Sequence, residues 1–220
     1  MGTHGRSGIQ RLLIGSVAEK ILRTSPVPVL TVPPRAPDAV PIGQDPVRRI
    51  LVATDFSPES GDALRYAASL AQHGAAALIL VHVVEPLPVA HQPMVERAFD
   101  VTAYHASLRE AAKTELHGWA PDYVRLGCDT EDVVVLGKPY VEVLRIAAER
   151  DVDLIVLGVH GRGALDRLVF GSTTEHLVRR ASCPVLTVRP REHGQAGRAA
   201  AGVAHTADRA ASASIRTPAS

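Results

Sequence analysis

An internal repeat constrains this chain more than any other feature of its sequence. Residues 2–35 and 158–191 align without a gap at an offset of 156 residues and are identical at 17 of 34 positions. Repeats of this length indicate duplicated structural units. The first copy begins at its own glycine motif. The segment that precedes this motif in the second copy has no counterpart before the first copy. The repeat therefore predicts one complete domain preceded by the final helix and strand of another.

Composition shifts mark the boundaries of these units. Residues 33–47 contain five prolines in fifteen positions, and proline fixes φ and lacks a backbone donor, which suits a semi-rigid linker. The segment at 191–220 is rich in alanine and poor in large apolar residues, so it cannot offset the entropy of its own ordering. We expect a C-terminal domain fragment at 1–35, a linker at 36–46, a complete domain at 47–190 and a disordered tail at 191–220.

Short apolar runs alternate with helical patterns through the complete domain. Continuous apolar strands are typical of a parallel sheet covered on both faces, and alternation with helices implies right-handed crossovers. We therefore predict an α/β fold with a doubly wound, five-stranded parallel sheet and an extra N-terminal helix and strand. The predicted strands are 49–54, 78–84, 131–136, 153–157 and 184–188, and the predicted helices are 59–73, 94–117, 140–150 and 172–181.

Charge and composition exclude several classes of partner. The net charge is +1 at pH 7 with histidine neutral, so no basic field indicates a nucleic acid or an anionic membrane. No stretch approaches the ~18 apolar residues of a membrane-spanning helix. Two cysteines without a C-x-x-C spacing favour a reduced, cytoplasmic setting. The ten histidines are scattered without metal-binding spacing, and no metal site is predicted from protein ligands.

The ends of the predicted strands carry residues suited to a ligand. Ligands of open α/β sheets bind beyond the carboxyl ends of the strands, where the strand order reverses. Gly158 and Gly161 follow the fourth strand, and Gly171 and Ser172 begin the next helix. Glycines let a backbone approach a ligand closely, and free N–H groups at a helix N-terminus favour an anion. These segments predict a phosphate-containing ligand.

Other side chains at these strand ends fit the rest of a nucleotide. Arg162 can supply a charge-assisted hydrogen bond to a phosphate. Asp55, after the first strand, can accept from a ribose hydroxyl, and Val83, at the end of the second, can form an apolar floor for a base. The same glycines would also be expected in ordinary turns, and Ser172 would also suit an N-cap. From these residues alone, a purely structural role is as open as a nucleotide-binding one.

The spacing Gly158-x2-Gly161-x9-Gly171-Ser172 resembles the G-2x-G-9x-G-[ST] signature of the nucleotide-binding branch of the universal stress protein family. Asp55 and the segments 153–161 and 184–188 also fit this family, and the resemblance covers residues 47–190. It implies an adenine nucleotide alpha hydrolase-like fold with strand order 3-2-1-4-5. It also implies ATP binding, formation of dimers or tandem pairs, and a role in survival under stress.

The resemblance assigns the adenosine to residues near Asp55 and the phosphates to the glycine signature. His160 is included because it is equivalent to His4 in the repeat. The implied nucleotide-binding residues are Ala53, Thr54, Asp55, Val83, Gly158, His160, Gly161, Arg162, Gly171, Ser172 and Thr173. The signature recurs in the first copy at Gly2, Gly5, Gly15 and Ser16. That copy lacks the strands of an adenosine pocket, so we expect no second site.

We predict a regulatory, ATP-binding protein, with magnesium accompanying the phosphates, and assign no enzyme activity. Two alternatives stay open: a slow ATP hydrolase, and a degraded tandem protein that acts only through dimerisation. The last strand of such a sheet is an edge with unpaired backbone groups. Because 28–32 repeats 184–188 without change, we expect these strands to pair antiparallel, as an intrachain counterpart of a homodimer. No nucleic acid or membrane partner is expected.

Overall fold

The computed structural model describes residues 15–33, 46–86, 100–159 and 171–189. All of them belong to one compact unit, Met1–Pro190. The predicted tail at 191–220 lies outside the described residues, as do all but the last residue of the predicted linker and the first residues of the helix predicted at 94–117. None of the described helices is long and apolar enough to cross a membrane.

Helices and strands alternate along the chain, largely within the predicted ranges. In chain order the elements are α1 (Ser16–Thr24), β1 (Val29–Thr31), β2 (Arg49–Thr54), α2 (Pro58–Gly74), β3 (Ala77–Val84), α3 (Val101–Trp119), α4 (Asp122–Gly127), β4 (Thr130–Leu136), α5 (Pro139–Glu149), β5 (Leu154–Gly158), α6 (Ser172–Arg180) and β6 (Val185–Val188).

Five of the six strands are parallel and form the predicted doubly wound sheet. The order across the sheet is β1-β6-β5-β2-β3-β4. Counted from β2, the strands of the complete domain therefore follow the predicted order 3-2-1-4-5. The α/β class is confirmed. The expected antiparallel pairing of 28–32 with 184–188 is also confirmed, because β1 joins the sheet as a sixth strand beside β6.

The central parallel strands, β2 and β5 above all, are buried on both faces of the sheet. One core packs Leu51 and Ile155 against α1, α5 and α6. The other packs Ile50 and Val52 against α2, α3 and α4. Successive residues of β2 alternate between the two cores, as the pleat of a strand requires. The apolar runs in the sequence are continuous because both faces are covered.

The short helix α4, between α3 and β4, was not predicted from the sequence. Val124 is its buried residue. Arg125 donates from Nη2 to Oδ2 of Asp132 on β4 at 3.0 Å and to the carbonyl of His117 on α3 at 2.7 Å. The helix thus links the end of α3 to the start of β4. One buried residue in a helix of six residues leaves no periodicity to detect in the sequence.

The N-terminal fragment at 15–33, which we call the arm, docks on the complete domain as a helix and a strand. α1 buries Ala18 and Leu22, the latter 1% exposed, in the core that α5 and α6 also cover. Its outer side stays exposed, with Val17 at 71% and Ile21 at 39%. The arm is held by one short strand pairing and a narrow apolar contact.

The turn after β4 requires a glycine. Gly137 has a φ of 151°, and a Cβ there would lie 2.8 Å from Cγ of Glu142. We expect Gly137→Ala to lower the free energy of unfolding by about 1–3 kcal/mol, the cost of a strained backbone. Urea denaturation measures this change.

Gly61→Ala in α2 is the matched control for Gly137→Ala. No atom lies within 4 Å of the Cβ position at Gly61, and alanine is favoured over glycine inside a helix by about 1 kcal/mol. This variant is expected to be more stable than the parent. Equal stabilities for the two variants would contradict the strain assigned to Gly137.

Candidate functional site

β2, β3 and β5 end at the same edge of the sheet. β2 pairs in parallel with β5 on one side and with β3 on the other, where Thr54 lies opposite His82. Asp55 follows β2 directly, and Gly158 is the last residue of β5. Both therefore lie at the carboxyl edge of adjacent strands. An arrangement with Asp55 and the glycine segment at opposite edges is excluded.

Partly buried apolar side chains line one face of the sheet at this edge. Ala53 and Val83 pack against the core that α5 and α6 cover. Val135 on β4 lies opposite Val83 and packs against the same core. Sequence analysis did not select Val135, because the register between β3 and β4 is set by tertiary packing and leaves no local signal. The three side chains form an apolar surface beside the end of β2.

The Asp55 carboxylate stabilises the start of α2 by accepting hydrogen bonds from it. Its Oδ1 accepts hydrogen bonds from the backbone N–H of Ser57 at 3.1 Å, from the Ser57 hydroxyl at 2.6 Å and from the Ser60 hydroxyl at 3.2 Å. Ser57 is also the N-cap of α2, where its side chain accepts from the N–H of Ser60. Sequence analysis missed this structural role of Asp55, although the Asp-x-Ser-x-x-Ser spacing is a signal for it.

The turn that carries Asp55 is also fixed by its neighbours. Thr54 is buried, and its Oγ1 accepts from the N–H of Phe56 at 2.9 Å and lies 3.0 Å from the Ser60 hydroxyl. Phe56 has a φ of 63°, and its ring stacks on His82 with 4.2 Å between the centroids. Nδ1 of His82 lies 2.9 Å from the carbonyl oxygen of Thr54. The position of Asp55 is therefore fixed by the hydrogen bonds and ring stacking of its neighbours.

The start of α6 lies against the end of β5. Gly171 donates its N–H to the carbonyl of Val159 at 3.3 Å, and Oγ1 of Thr174 donates to the carbonyl of Gly158 at 3.2 Å. Within the described residues no side chain caps α6, whereas the N-cap side chains of α2 and α3 each accept a backbone hydrogen bond. Ser172, the first helical residue, is exposed. The first turn of α6 thus presents N–H groups without a side-chain acceptor in this part of the chain.

Gly171 also leaves room for a close contact within the chain itself. Its φ of −60° is open to any residue. A Cβ there would lie 3.3 Å from the carbonyl oxygen of Val159 and 3.5 Å from Oγ1 of Thr174. The missing side chain makes room for the chain's own backbone at the junction of β5 and α6. A substitution at Gly171 therefore disturbs this junction as well as any ligand.

Some predicted site residues lie outside the described part of the chain. They are His160, Gly161 and Arg162. Where the structure does describe the chain, no three His, Cys, Asp or Glu residues form a group suited to a metal. Burial raises the pKa of Cys183 to about 11 and also raises that of Cys128. Neither thiol is activated as a nucleophile.

Comparison with known sequences identifies relatives over most of the chain. The profile of the universal stress protein family matches residues 1–33 and 46–189. Universal stress protein MJ0577 of Methanocaldococcus jannaschii is 28% identical over 153 residues, which cover 64% of this chain and 94% of that protein. Universal stress protein Rv2005c of Mycobacterium tuberculosis is 30% identical over 189 residues, which cover 86% of this chain and 60% of that protein.

Solved structures give the same assignment. The structure of MJ0577 aligns with a TM-score of 0.58 at 29% identity, covering 66% of this chain and 98% of that one. A universal stress protein from Archaeoglobus fulgidus aligns with a TM-score of 0.57 at 28% identity, covering 87% of this chain and 61% of that one. By sequence profile, by its relatives and by its fold, the chain belongs to the universal stress protein family.

Proposed function

We propose that this protein binds a nucleotide, ATP in the first instance, at the carboxyl edge of the sheet between β2 and β5. The observation that carries the proposal is the meeting of three features at one edge. These are the Asp55 carboxylate, the apolar surface around Val83 and the start of α6 at Ser172. Nucleotide sites combine such an apolar surface with a few polar groups that fix orientation.

The start of α6 supplies the phosphate end of the proposed site. N–H groups and the helix dipole at a helix N-terminus stabilise an anion by about 0.3–1 kcal/mol at exposed positions. The hydroxyls of Ser172, which is exposed, and Thr173, which is half-buried, lie in the same first turn. The sequence analysis adds His160, Gly161 and Arg162, which lie outside the described residues, to this end of the proposed site. Mg²⁺ would reach the site with the phosphates.

The ends of β2, β3 and β4 supply the adenosine end of the proposed site. Ala53, Val83 and Val135 offer a partly buried apolar surface for a base. Asp55 would accept from a ribose hydroxyl and share its carboxylate with the donors of Ser57 and Ser60. A carboxylate has about four lone-pair positions for such bonds.

We assign the site a regulatory role in which ATP is bound. We do not propose that the site hydrolyses ATP rapidly. Rapid hydrolysis requires a positioned general base or a metal that activates water. Asp55 is the carboxylate that follows β2, and it already holds the start of α2. The two alternatives are distinguished by measurement. Sustained phosphate release would favour a slow hydrolase, and the absence of nucleotide from the natively purified protein in mass spectrometry would favour dimerisation alone.

A negative charge at the start of α6 should have opposite effects on binding and stability. In Ser172→Asp, the new carboxylate satisfies the helix N-terminus and stabilises the helix by about 0.3–1 kcal/mol. The same carboxylate repels the phosphates, so the affinity for Mg-ATP should fall by about tenfold or more, or 1.4 kcal/mol. Calorimetric titration and urea denaturation measure the two effects.

The repeat provides the matched control for Ser172→Asp. Ser16 is equivalent to Ser172 and begins α1, which no side chain of the described residues caps either. Ser16→Asp should stabilise its helix to a similar degree and leave the affinity for Mg-ATP unchanged. Unchanged affinity in both variants would remove α6 from the site.

Substitution of Asp55 should separate its structural and binding roles. Asp55→Asn keeps an oxygen that accepts from Ser57 and Ser60, so it should lower the free energy of unfolding less than Asp55→Ala does. It loses the charge-assisted bond to ribose, which is worth about 1.5–3 kcal/mol, and the affinity for ATP should fall accordingly. Asp55→Ala removes both functions and should lower stability as well as affinity. Full affinity in Asp55→Asn, measured by calorimetry, would contradict the ribose contact.

A further inference from the structure

Arg189 lies at the same edge of the sheet as the phosphate end of the proposed nucleotide site. It follows β6 directly, and Val188, the last residue of β6, lies opposite Gly158. The carbonyl of Val188 accepts from the N–H of Val159 at 3.0 Å, and the carbonyl of Val159 accepts from the N–H of Gly171 at 3.3 Å. Neighbouring strands are about 4.8 Å apart. Arg189 therefore begins one strand spacing from the end of β5, beside the start of α6.

The side chain of Arg189 leaves β6 on the face of the sheet that α6 and the arm also cover. Successive side chains of a strand point to opposite faces. Val185 belongs to the core that α1, α5 and α6 cover, and Val188 belongs to the opposite core. Arg189 is four residues after Val185 and so returns to the face of Val185. Its contact with α1, which covers that face, agrees with this direction.

On the side of the arm, the Arg189 guanidinium bonds to the end of α1. Its Nη2 donates to the carbonyl of Arg23 in the last turn of that helix. The last carbonyls of a helix lack donors within the helix and carry the negative end of its dipole. In the sheet, β6 lies between β1 and β5. Arg189 therefore has the negative end of α1 on one side and the positive end of α6 on the other.

Arg189 is a half-buried cation without a carboxylate partner among the described residues. Three arginines in the described ranges are half-buried, namely Arg125, Arg179 and Arg189. Arg125 pairs with Asp132 at 3.0 Å. Arg179 pairs with Glu175 at 2.6 Å. Arg189 forms no ion pair in this part of the chain, and its buried Nε finds no hydrogen-bond acceptor there.

The unused donors of Arg189 suit an anion. A guanidinium stays charged in proteins and has five N–H donors, and a charge removed from water is costly without a partner. The planar guanidinium matches the oxygens of a phosphate. Because the bond to the Arg23 carbonyl uses only Nη2, the guanidinium can hold this carbonyl and a phosphate at the same time.

We propose that Arg189 is a phosphate-binding residue of the nucleotide site, and that it links occupancy of the site to docking of the arm. A bound phosphate holds Arg189 where its Nη2 reaches α1, and a docked arm holds Arg189 where its other N–H groups reach the phosphate. The coupling is reciprocal, as for any two linked binding equilibria. The inference rests on the proposed function, to which it adds a residue outside the glycine signature and a form of regulation.

Loss of the Arg189 charge should weaken the binding of phosphates and spare the adenosine end of the site. Arg189→Gln should lower the affinity for Mg-ATP by about tenfold or more, as expected for loss of a hydrogen bond to a charged group. It should leave the affinity for adenosine, which has no phosphate, unchanged. Arg48→Gln is the matched control, because it removes the same charge just before β2, at the opposite edge of the sheet. Calorimetric titration measures these affinities.

Hydrogen exchange of the full chain measures the link to the arm. Binding of Mg-ATP to the parent should slow amide exchange in α1 by about fivefold or more, the lower end of the range for coupled sites. Adenosine should not slow it. Mg-ATP should not slow it in Arg189→Gln either, at a concentration that saturates this variant. Helix α4, which packs on the opposite core, is the reference for exchange.

The possible results distinguish failure of this inference from failure of the proposed function. A parent chain that binds no Mg-ATP would contradict the proposed function and the inference with it. If the parent binds Mg-ATP, equal affinities in Arg189→Gln and Arg48→Gln would contradict the role of Arg189 alone. An equal loss of affinity for adenosine in Arg189→Gln would show that the residue is structural. Unchanged exchange of α1 in the parent saturated with Mg-ATP would overturn the link to the arm.

Discussion

The parallel hydrogen-bond ladder between β2 and β5 is the interaction on which the candidate site depends. Its central residues, Val52 and Val156, are fully buried, and the two strands come from segments about a hundred residues apart. A slip of one residue would turn every side chain of a strand to the opposite face. The two packed cores forbid such a slip. The ladder therefore fixes where Asp55 and Gly158 lie with respect to each other.

Local order at the end of β2 couples the stability of the domain to the proposed binding. The carboxylate that would contact ribose also holds the first turn of α2 through Ser57 and Ser60. The stacked Phe56 and His82 keep that turn in place. Ligand binding would act on groups that are already ordered, so little conformational entropy would be lost at this end of the site.

The fold was predictable because its signals are local. Apolar runs without alternation indicate strands covered on both faces, and β2 occupies the predicted range.

The tertiary details were not predictable in the same way. The opposition of Val83 and Val135 depends on strand register, and the close approach of the Val159 carbonyl to Gly171 depends on how α6 packs against the end of β5. The six-residue helix α4 has too few buried residues for a periodic signal. The hydrogen bonds from Ser57 and Ser60 to Asp55 could not be predicted, because they depend on the direction of the Asp55 side chain, which spacing in the sequence does not specify.

The distance along the chain between β1 and β6 has a consequence for synthesis. Thr31 bonds to Val185, which lies 154 residues later. At about 5–20 residues per second, the ribosome needs on the order of ten to thirty seconds to make the intervening chain. During that time β6, the strand with which β1 pairs, has not yet been made. The arm is thus the described segment that is made first, and it cannot complete its strand pairing until the last described strand has been made.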